Sequence, residues 1–189
     1  MLYTRKGDKG DTHFFDSQGE RFSKGSWRAE ALGALDEINS LLGVCKAKAG
    51  DINIKINGHT LPDILEQVQQ NLFIIQAAIA GADKQITQDK IDLVEGIIDS
   101  IEKELPEIKT FFLAGGSELS ALLDYARAVA RRTERRVVRY SEIVSASSPQ
   151  VGEISPEIRA YLNRLSSLLY ALVRVVNLKS GVKEIPPNY

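Results

Sequence analysis

A single cysteine, Cys45, serves all 189 residues, so no intrachain disulfide is available. A chain without one fits a reducing compartment. There are two histidines, His13 and His59, and both fall outside the helical stretches. That excludes the Glu-x-x-His pairs of a di-iron bundle, and one cysteine leaves a structural zinc site unsupported. No Ser-His-Asp or Cys-His constellation can be assembled. No apolar run is long enough to span a bilayer, because Arg174 interrupts the best candidate. The opening Met1-Leu-Tyr-Thr-Arg-Lys-Gly-Asp8 lacks the apolar core of a secretory signal. Excess charge is absent as well: the net charge is −1 and the pI about 6.2. A general nucleic-acid binder is usually far more basic. Neither an internal repeat nor a low-complexity segment is visible. The expectation is one soluble, cytoplasmic domain over 1–189 with no nucleic-acid or membrane partner. It is long enough to bury roughly 70% of its unfolded surface.

Within this balanced composition, positive charge is concentrated in one place. Ala126-Arg-Ala-Val-Ala-Arg-Arg-Thr-Glu-Arg-Arg-Val-Val-Arg139 holds six arginines and one glutamate in fourteen residues, with no Gly or Pro. At about 100° per residue the positions sort into arcs. Leu119, Leu122, Leu123, Ala126, Val129, Ala130, Thr133 and Val137 share an apolar arc. Arg127, Arg131, Glu134 and Arg135 share a second, and Arg132, Arg136 and Arg139 a third. Arg127, Arg131 and Glu134 follow an i, i+4, i+7 line, so their side chains stack along one ridge. A solvated basic face is one explanation. The other is a phosphate clamp, since guanidinium forks match phosphate oxygens bidentately.

The remaining periodicity predicts helices over 29–49, 62–80 and 88–105, and a final one from Pro156. Ser117 is the expected N-cap of the arginine helix after the Gly115-Gly116 turn. Ser155, Pro156 and Glu157 signal the start of the last helix. On that helix Asn163, Ser167, Tyr170 and Arg174 form a polar line, and Asn163 reads equally as a satisfied buried amide. Residues 51–60 alternate Ile52, Ile54 and Ile56 before Asn57-Gly58. This is a hairpin signal, but an isolated one, and the segment is expected to connect as an extended loop. Residues 1–28 have no helical period and are expected to form a loop, ordered by itself or by a ligand; 181–189 form a tail. Five helices joined by loops argue for an all-α, up-and-down bundle over 29–180.

Two further stretches suggest chemistry. In Thr4-Arg-Lys-Gly-Asp-Lys-Gly-Asp-Thr12, Gly7 and Gly10 let the backbone approach an anion closely. No Gly-Lys-Ser/Thr follows to open a helix, so this is not a Walker A loop. On the first helix, Asp36 lies beside an apolar stripe, where a carboxylate calls for a cationic partner. Arg127 is the candidate, and a solvent-facing Asp36 is the plain alternative.

Six motifs now stand in order: Thr4-Arg-x-Gly-Asp-Lys-Gly10, Gly19-Glu-Arg-x-x-Lys24, Asp36-Glu-x-Asn-Ser40, Gly115-Gly-Ser117, Ala126-Arg-x-x-x-Arg-Arg-x-Glu-Arg135 and Tyr161-Leu-Asn-Arg-Leu-Ser166. Together they resemble the PduO-type ATP:cob(I)alamin (corrinoid) adenosyltransferases, from about residue 3 to residue 177. The resemblance implies a five-helix bundle that assembles as a homotrimer with sites between subunits. It implies transfer of the 5′-deoxyadenosyl group of ATP to cob(I)alamin, with triphosphate leaving. ATP would be held by Thr4, Arg5, Lys6, Gly7, Gly10, Thr12 and His13 of the loop, by Lys24, and by Arg131, Arg132, Glu134, Arg135 and Asn163. Mg²⁺ would be held mainly by the ATP phosphates. Asp36 would pair with Arg127, and Phe111 would help displace the corrinoid's lower ligand. Arg131 would be the principal catalytic cation. A corrinoid reductase and an adenosylcobalamin-dependent enzyme are the implied partners. The chain departs from the family pattern at Ala114, where proline is usual, and at Ser167, where aspartate is usual. Two other readings remain open. One is a non-catalytic ATP- or corrinoid-delivery protein on the same fold. The other is a helical interaction module whose Arg132, Arg136 and Arg139 grip an acidic partner.

Overall fold

A computed structural model describes residues 3–50, 52–147 and 154–188. Five helices dominate: α1 (Trp27–Ala49), α2 (Leu61–Ile79), α3 (Gln88–Glu104), α4 (Glu118–Ser147) and α5 (Pro156–Lys179). Their starts are fixed by side chains that accept from otherwise unpaired N–H groups of the first turn. Ser26 Oγ accepts from Ala29 N, Ser117 Oγ from Ser120 N and Ser155 Oγ from Ile158 N, at 3.2–3.3 Å. Thr60 and Asp63 form a reciprocal capping box at α2, and the Thr60 hydroxyl holds the Asp63 carboxyl below its ordinary pKa.

The helices neighbour one another in the order α2–α1–α4–α5–α3. Paired residues give their directions. Lys48 meets Glu118, Glu37 meets Arg132 and Glu30 meets Arg136, so α1 and α4 run antiparallel. Gln69 bonds Asn39 and Glu66 meets Lys46, making α2 antiparallel to α1. Asn163 bonds Glu134 and Arg159 bonds Ser141, making α5 antiparallel to α4. Glu95 meets Arg164 and Glu104 meets Lys179, so α3 runs with α5. The chain therefore alternates up and down along its length, as the short connections require. The core is one aliphatic cluster into which every helix contributes. Thr133 sits on the apolar arc of α4 because its hydroxyl donates to the Ala34 carbonyl of α1 at 3.0 Å. Tyr161 is fully buried on α5; its hydroxyl accepts from Asn71 of α2 at 3.1 Å, and burial pushes its pKa to about 12.

Two segments differ from the loops expected. The amino-terminal stretch forms a small hairpin, β1 (Asp11–Thr12) with β2 (Phe22–Ser23). It is fastened to the end of α2: Phe15 N donates to Ala80 O, and Arg28 reaches both Ile79 O and Asp16. The 51–60 stretch is also a hairpin, β3 (Lys55–Ile56) with β4 (His59–Thr60), not an extended connector. Asn57 and Gly58 both have positive φ (52° and 83°), the geometry that a two-residue hairpin turn demands. So short a hairpin is not stable alone; burial of Ile54 and Ile56 in the main core holds it in place. On α3, Ile91, Val94, Ile97 and Ile101 face the core, and Ile98 is half-buried beside them.

Candidate functional site

The three arcs of α4 have different fates. Except for half-buried Leu122, the apolar arc is buried. The third arc is largely satisfied within the chain. Arg132 bonds Glu37, and Arg136 pairs with Glu30 at 2.8 Å. Arg139 lies 5.6 Å from the Trp27 ring centroid. The acidic partner imagined for these arginines is α1 itself, which removes the observation behind an interaction module.

The second arc remains available. Among the described residues, Arg131 and Arg135 have no carboxylate partner; Arg135 Nη1 donates to the Arg131 carbonyl at 3.1 Å. Glu134 accepts from Asn163 Nδ2 at 3.1 Å. Asn163 Oδ1 in turn accepts from Arg164 at 2.9 Å, and Arg164 pairs with Glu95 of α3 at 2.7 Å. These contacts orient the exposed Asn163 amide, which is not the buried amide that periodicity also allowed. Arg131, Glu134, Arg135 and Asn163 line one hollow of about 430 Å³.

Arg131 also borders a second hollow, of about 570 Å³, on the other side of the ridge. Its walls are residues 108–114, Arg127 and Asp124 of α4, and Ser167, Tyr170 and Val173 of α5. Phe111 is 78% exposed there, whereas Phe112 is half-buried. This hollow combines an apolar aromatic wall with cations along one edge. A larger cavity, about 1250 Å³, lies between the amino-terminal segment, the α2–α3 connection and the start of α5. None of the Arg127–Arg131–Arg135 ridge reaches it, so size and chemistry point to different places. Chemistry decides, because a phosphate site needs unspent donors.

Arg127 pairs with Asp124 one turn earlier on α4, Nε to Oδ1 at 3.1 Å. Asp124 is buried, and its other oxygen accepts from Gly115 N at 3.3 Å. The expected Asp36–Arg127 pair is not a contact within the chain. Asp36 is exposed and has no ion pair among the described residues. The cause is angular: Ala34 faces α4, and Asp36 lies roughly 200° further around α1. The D-x-x-R spacing was the available signal for Asp124.

The amino-terminal loop is organised by Arg21, a residue without an expected role. Its guanidinium donates to the Lys6 carbonyl and to Asp11 Oδ1, the latter at 2.6 Å. That bond holds the Asp11 carboxyl below its ordinary value. Lys24 Nζ donates to the Gly7 carbonyl at 3.0 Å and would lie 2.8 Å from a Cβ on Gly7. Thr4, Arg5, Lys6 and His13 are exposed around this turn, and Thr12 is half-buried. Neither of the two hollows bordered by Arg131 is lined by a residue of this loop. Among the described residues there is no cluster of three or more His, Cys, Asp or Glu suited to a metal ion, and no helix long and apolar enough to cross a membrane.

Comparison with known proteins places the chain in a family. A protein of Bacillus subtilis named corrinoid adenosyltransferase is 36% identical over 188 residues, covering 97% of this chain and 90% of its own length. The human corrinoid adenosyltransferase is 33% identical, with 97% and 71% covered. The PduO corrinoid adenosyltransferase of Citrobacter freundii is 36% identical, but this chain spans about half of it (49%). Among solved structures, a phenylalanine-to-alanine variant of the PduO-type ATP:corrinoid adenosyltransferase of Lactobacillus reuteri, complexed with cobalamin and ATP, matches with a TM-score of 0.83. Its identity is 27%, and 100% of both chains is covered. An arginine-to-lysine variant complexed with ATP matches with a TM-score of 0.80 and 29% identity, covering 99% of this chain and 100% of that one. The family model described as cobalamin adenosyltransferase matches residues 2–176. With nearly the whole chain covered by that model, the protein belongs to the cobalamin adenosyltransferase family.

Proposed function

We propose that the protein transfers the 5′-deoxyadenosyl group of ATP to cob(I)alamin, giving adenosylcobalamin and triphosphate. The observation that carries this reading is the position of Arg131 on the border of two hollows. One offers unpaired guanidinium groups to phosphate. The other offers an aromatic wall to a corrin ring. A reaction that joins a nucleotide carbon to a corrinoid metal needs those two surfaces side by side.

In this reaction Co(I) attacks the 5′ carbon of the ribose. A cobalt–carbon bond forms, the carbon–oxygen bond to triphosphate breaks, and cobalt ends formally as Co(III). Co(I) is a strong nucleophile, so no protein base is needed, and the protein's work is orientation and electrostatics. Negative charge gathers on the departing triphosphate. Arg131 and Arg135 stabilise it because neither has a carboxylate partner among the described residues. Glu134, held by Asn163, stands beside those arginines on the wall of the same hollow. Mg²⁺ would arrive with the ATP phosphates and share the charge. Phe111 walls the corrinoid hollow and disfavours a lower axial ligand, which makes Co(II) easier to reduce.

The amino-terminal loop and Lys24 belong to the same ATP site if a second copy supplies the loop to the α4–α5 ridge. A homotrimer with shared sites meets that need, and an Asp36–Arg127 pair would then run between copies. The substrate must come from a one-electron reduction of Co(II), and the product serves enzymes that use adenosylcobalamin. The consumption of ATP and the free, buried Cys45 accord with a cytoplasmic location. A spectral assay tests the function directly. ATP, cob(II)alamin, a strong reductant and the protein should yield the adenosylated product. Binding of both substrates without product would instead identify a delivery protein.

A further inference from the structure

One wall of the hollow beside Phe111 comes from no helix. Residues 108–114 form it, and what holds that segment lies far along the chain, on α5 and in the tail after Gly181. Arg174 is the centre of this support. It is 2% exposed, on a stretch of α5 otherwise apolar. Its Nε pairs with Glu184 Oε2 at 2.5 Å. Its guanidinium carbon lies 4.9 Å from the centroid of the Phe112 ring. Asn177, almost one turn on, donates to the Gly115 carbonyl at 3.3 Å and to Glu184 Oε1 at 3.5 Å. The Leu113 N–H donates to the carbonyl of Ile185 at 2.8 Å. Gly116 has a φ of 126°, and a Cβ there would lie 2.4 Å from Asn177 Oδ1, so glycine is what admits this amide.

A buried guanidinium needs a compensating charge. Glu184 supplies it, and the pair fixes the course of the tail. The tail then bonds the main chain at Leu113, while Arg174 seats Phe112 from beneath. With Phe112 held inward, its neighbour Phe111 is left facing the hollow. We propose that Arg174 and Glu184 are positioning residues for Phe111: this buried ion pair between α5 and the tail sets where Phe111 stands against the corrinoid. The inference rests on the proposed adenosyl transfer and adds to it a role for the tail.

The test compares wild type with Glu184→Ala, Glu184→Gln and Phe112→Leu in the full chain, since Arg174 variants risk unfolding. Binding of MgATP, read by calorimetry, should change less than about twofold in all three. Electron paramagnetic resonance of cob(II)alamin with MgATP should show a smaller four-coordinate share in Glu184→Ala. Its KM for the corrinoid should rise, and adenosylation with a weak reductant should slow about tenfold, or ~1.4 kcal/mol. Preformed Co(I) should recover much of that loss. Glu184→Gln keeps a hydrogen bond to Arg174 and should fall between the two. Phe112→Leu removes the seat and should move the same signals. A Glu184→Ala protein with the wild-type four-coordinate share and corrinoid KM overturns the inference alone. So does one that loses ATP affinity, corrinoid affinity and melting temperature together, because that pattern is structural. A wild type that never adenosylates preformed Co(I) overturns the activity, and the positioning role with it.

Discussion

Replacing Arg131 by alanine is the sharpest test of the site. The side chain is exposed and has no carboxylate partner among the described residues. Its backbone carbonyl accepts from Arg135, which the substitution leaves in place. No buried charge is orphaned and no cavity opens, so stability should move by less than about 0.5 kcal/mol. The rate is another matter. A guanidinium about 4 Å from a phosphate oxygen, at an effective dielectric near 20, interacts by roughly 4 kcal/mol. Part of that attraction exists already with bound ATP and cancels from the barrier. What remains, for charge that develops only as triphosphate departs, is about 3 kcal/mol, or ~100-fold in kcat. Arg131→Lys keeps the charge but loses the planar fork, so it should lie between. The assay is appearance of adenosylcobalamin from preformed Co(I), which removes reduction from the rate. Thermal melting of the same preparation supplies the control. An alanine variant that turns over at the wild-type rate would refute the assignment. So would one whose loss follows entirely from a fallen melting temperature.

Four further outcomes are expected. In double-mutant cycles read by thermal stability, Asp124→Asn and Arg127→Ala should couple strongly, because the two touch within the chain at 3.1 Å. Asp36→Asn with Arg127→Ala should couple only in an assembled oligomer, and additivity at every protein concentration would discard that pair. Hydrogen exchange over residues 4–24 should slow when MgATP is added, and unchanged exchange at saturation would remove the loop from the site. In the free protein, the Asp11–Arg21 contribution to loop order should be present above pH 3.8 and fade as pH falls through the lowered Asp11 value, since the folded pKa lies below the ordinary one. Phe111→Ala should bind ATP as wild type does but give a five-coordinate cob(II)alamin signal; a wild-type four-coordinate signal would move the wedge elsewhere.

The parts of the molecule that depend on neighbours within one helical turn were open to reading from residues alone. Serine caps, the Pro156 start and the apolar stripes predicted all five helices to within a few residues, because capping and periodicity act over three or four positions. The arginine ridge was legible for the same reason. The β3–β4 hairpin, signalled by Asn57-Gly58, is not decided by its own residues, because its support comes from core residues that no local window contains. The partners of the arginines could not be read. Whether Arg132 and Arg136 are free depends on antiparallel register between α1 and α4, which brings Glu37 and Glu30 to them across about a hundred residues of chain. Within one chain Arg127 meets Asp124 and not Asp36, because only Asp124 lies on its side of the bundle. The hollow beside Phe111 is likewise a tertiary product, since Arg174 meets Phe112, Asn177 meets Gly115 and Ile185 meets Leu113 only in the closed bundle. Charge and shape at a site belong to side chains brought together by packing. The chain order carries those side chains, and the register of the helices decides which of them meet.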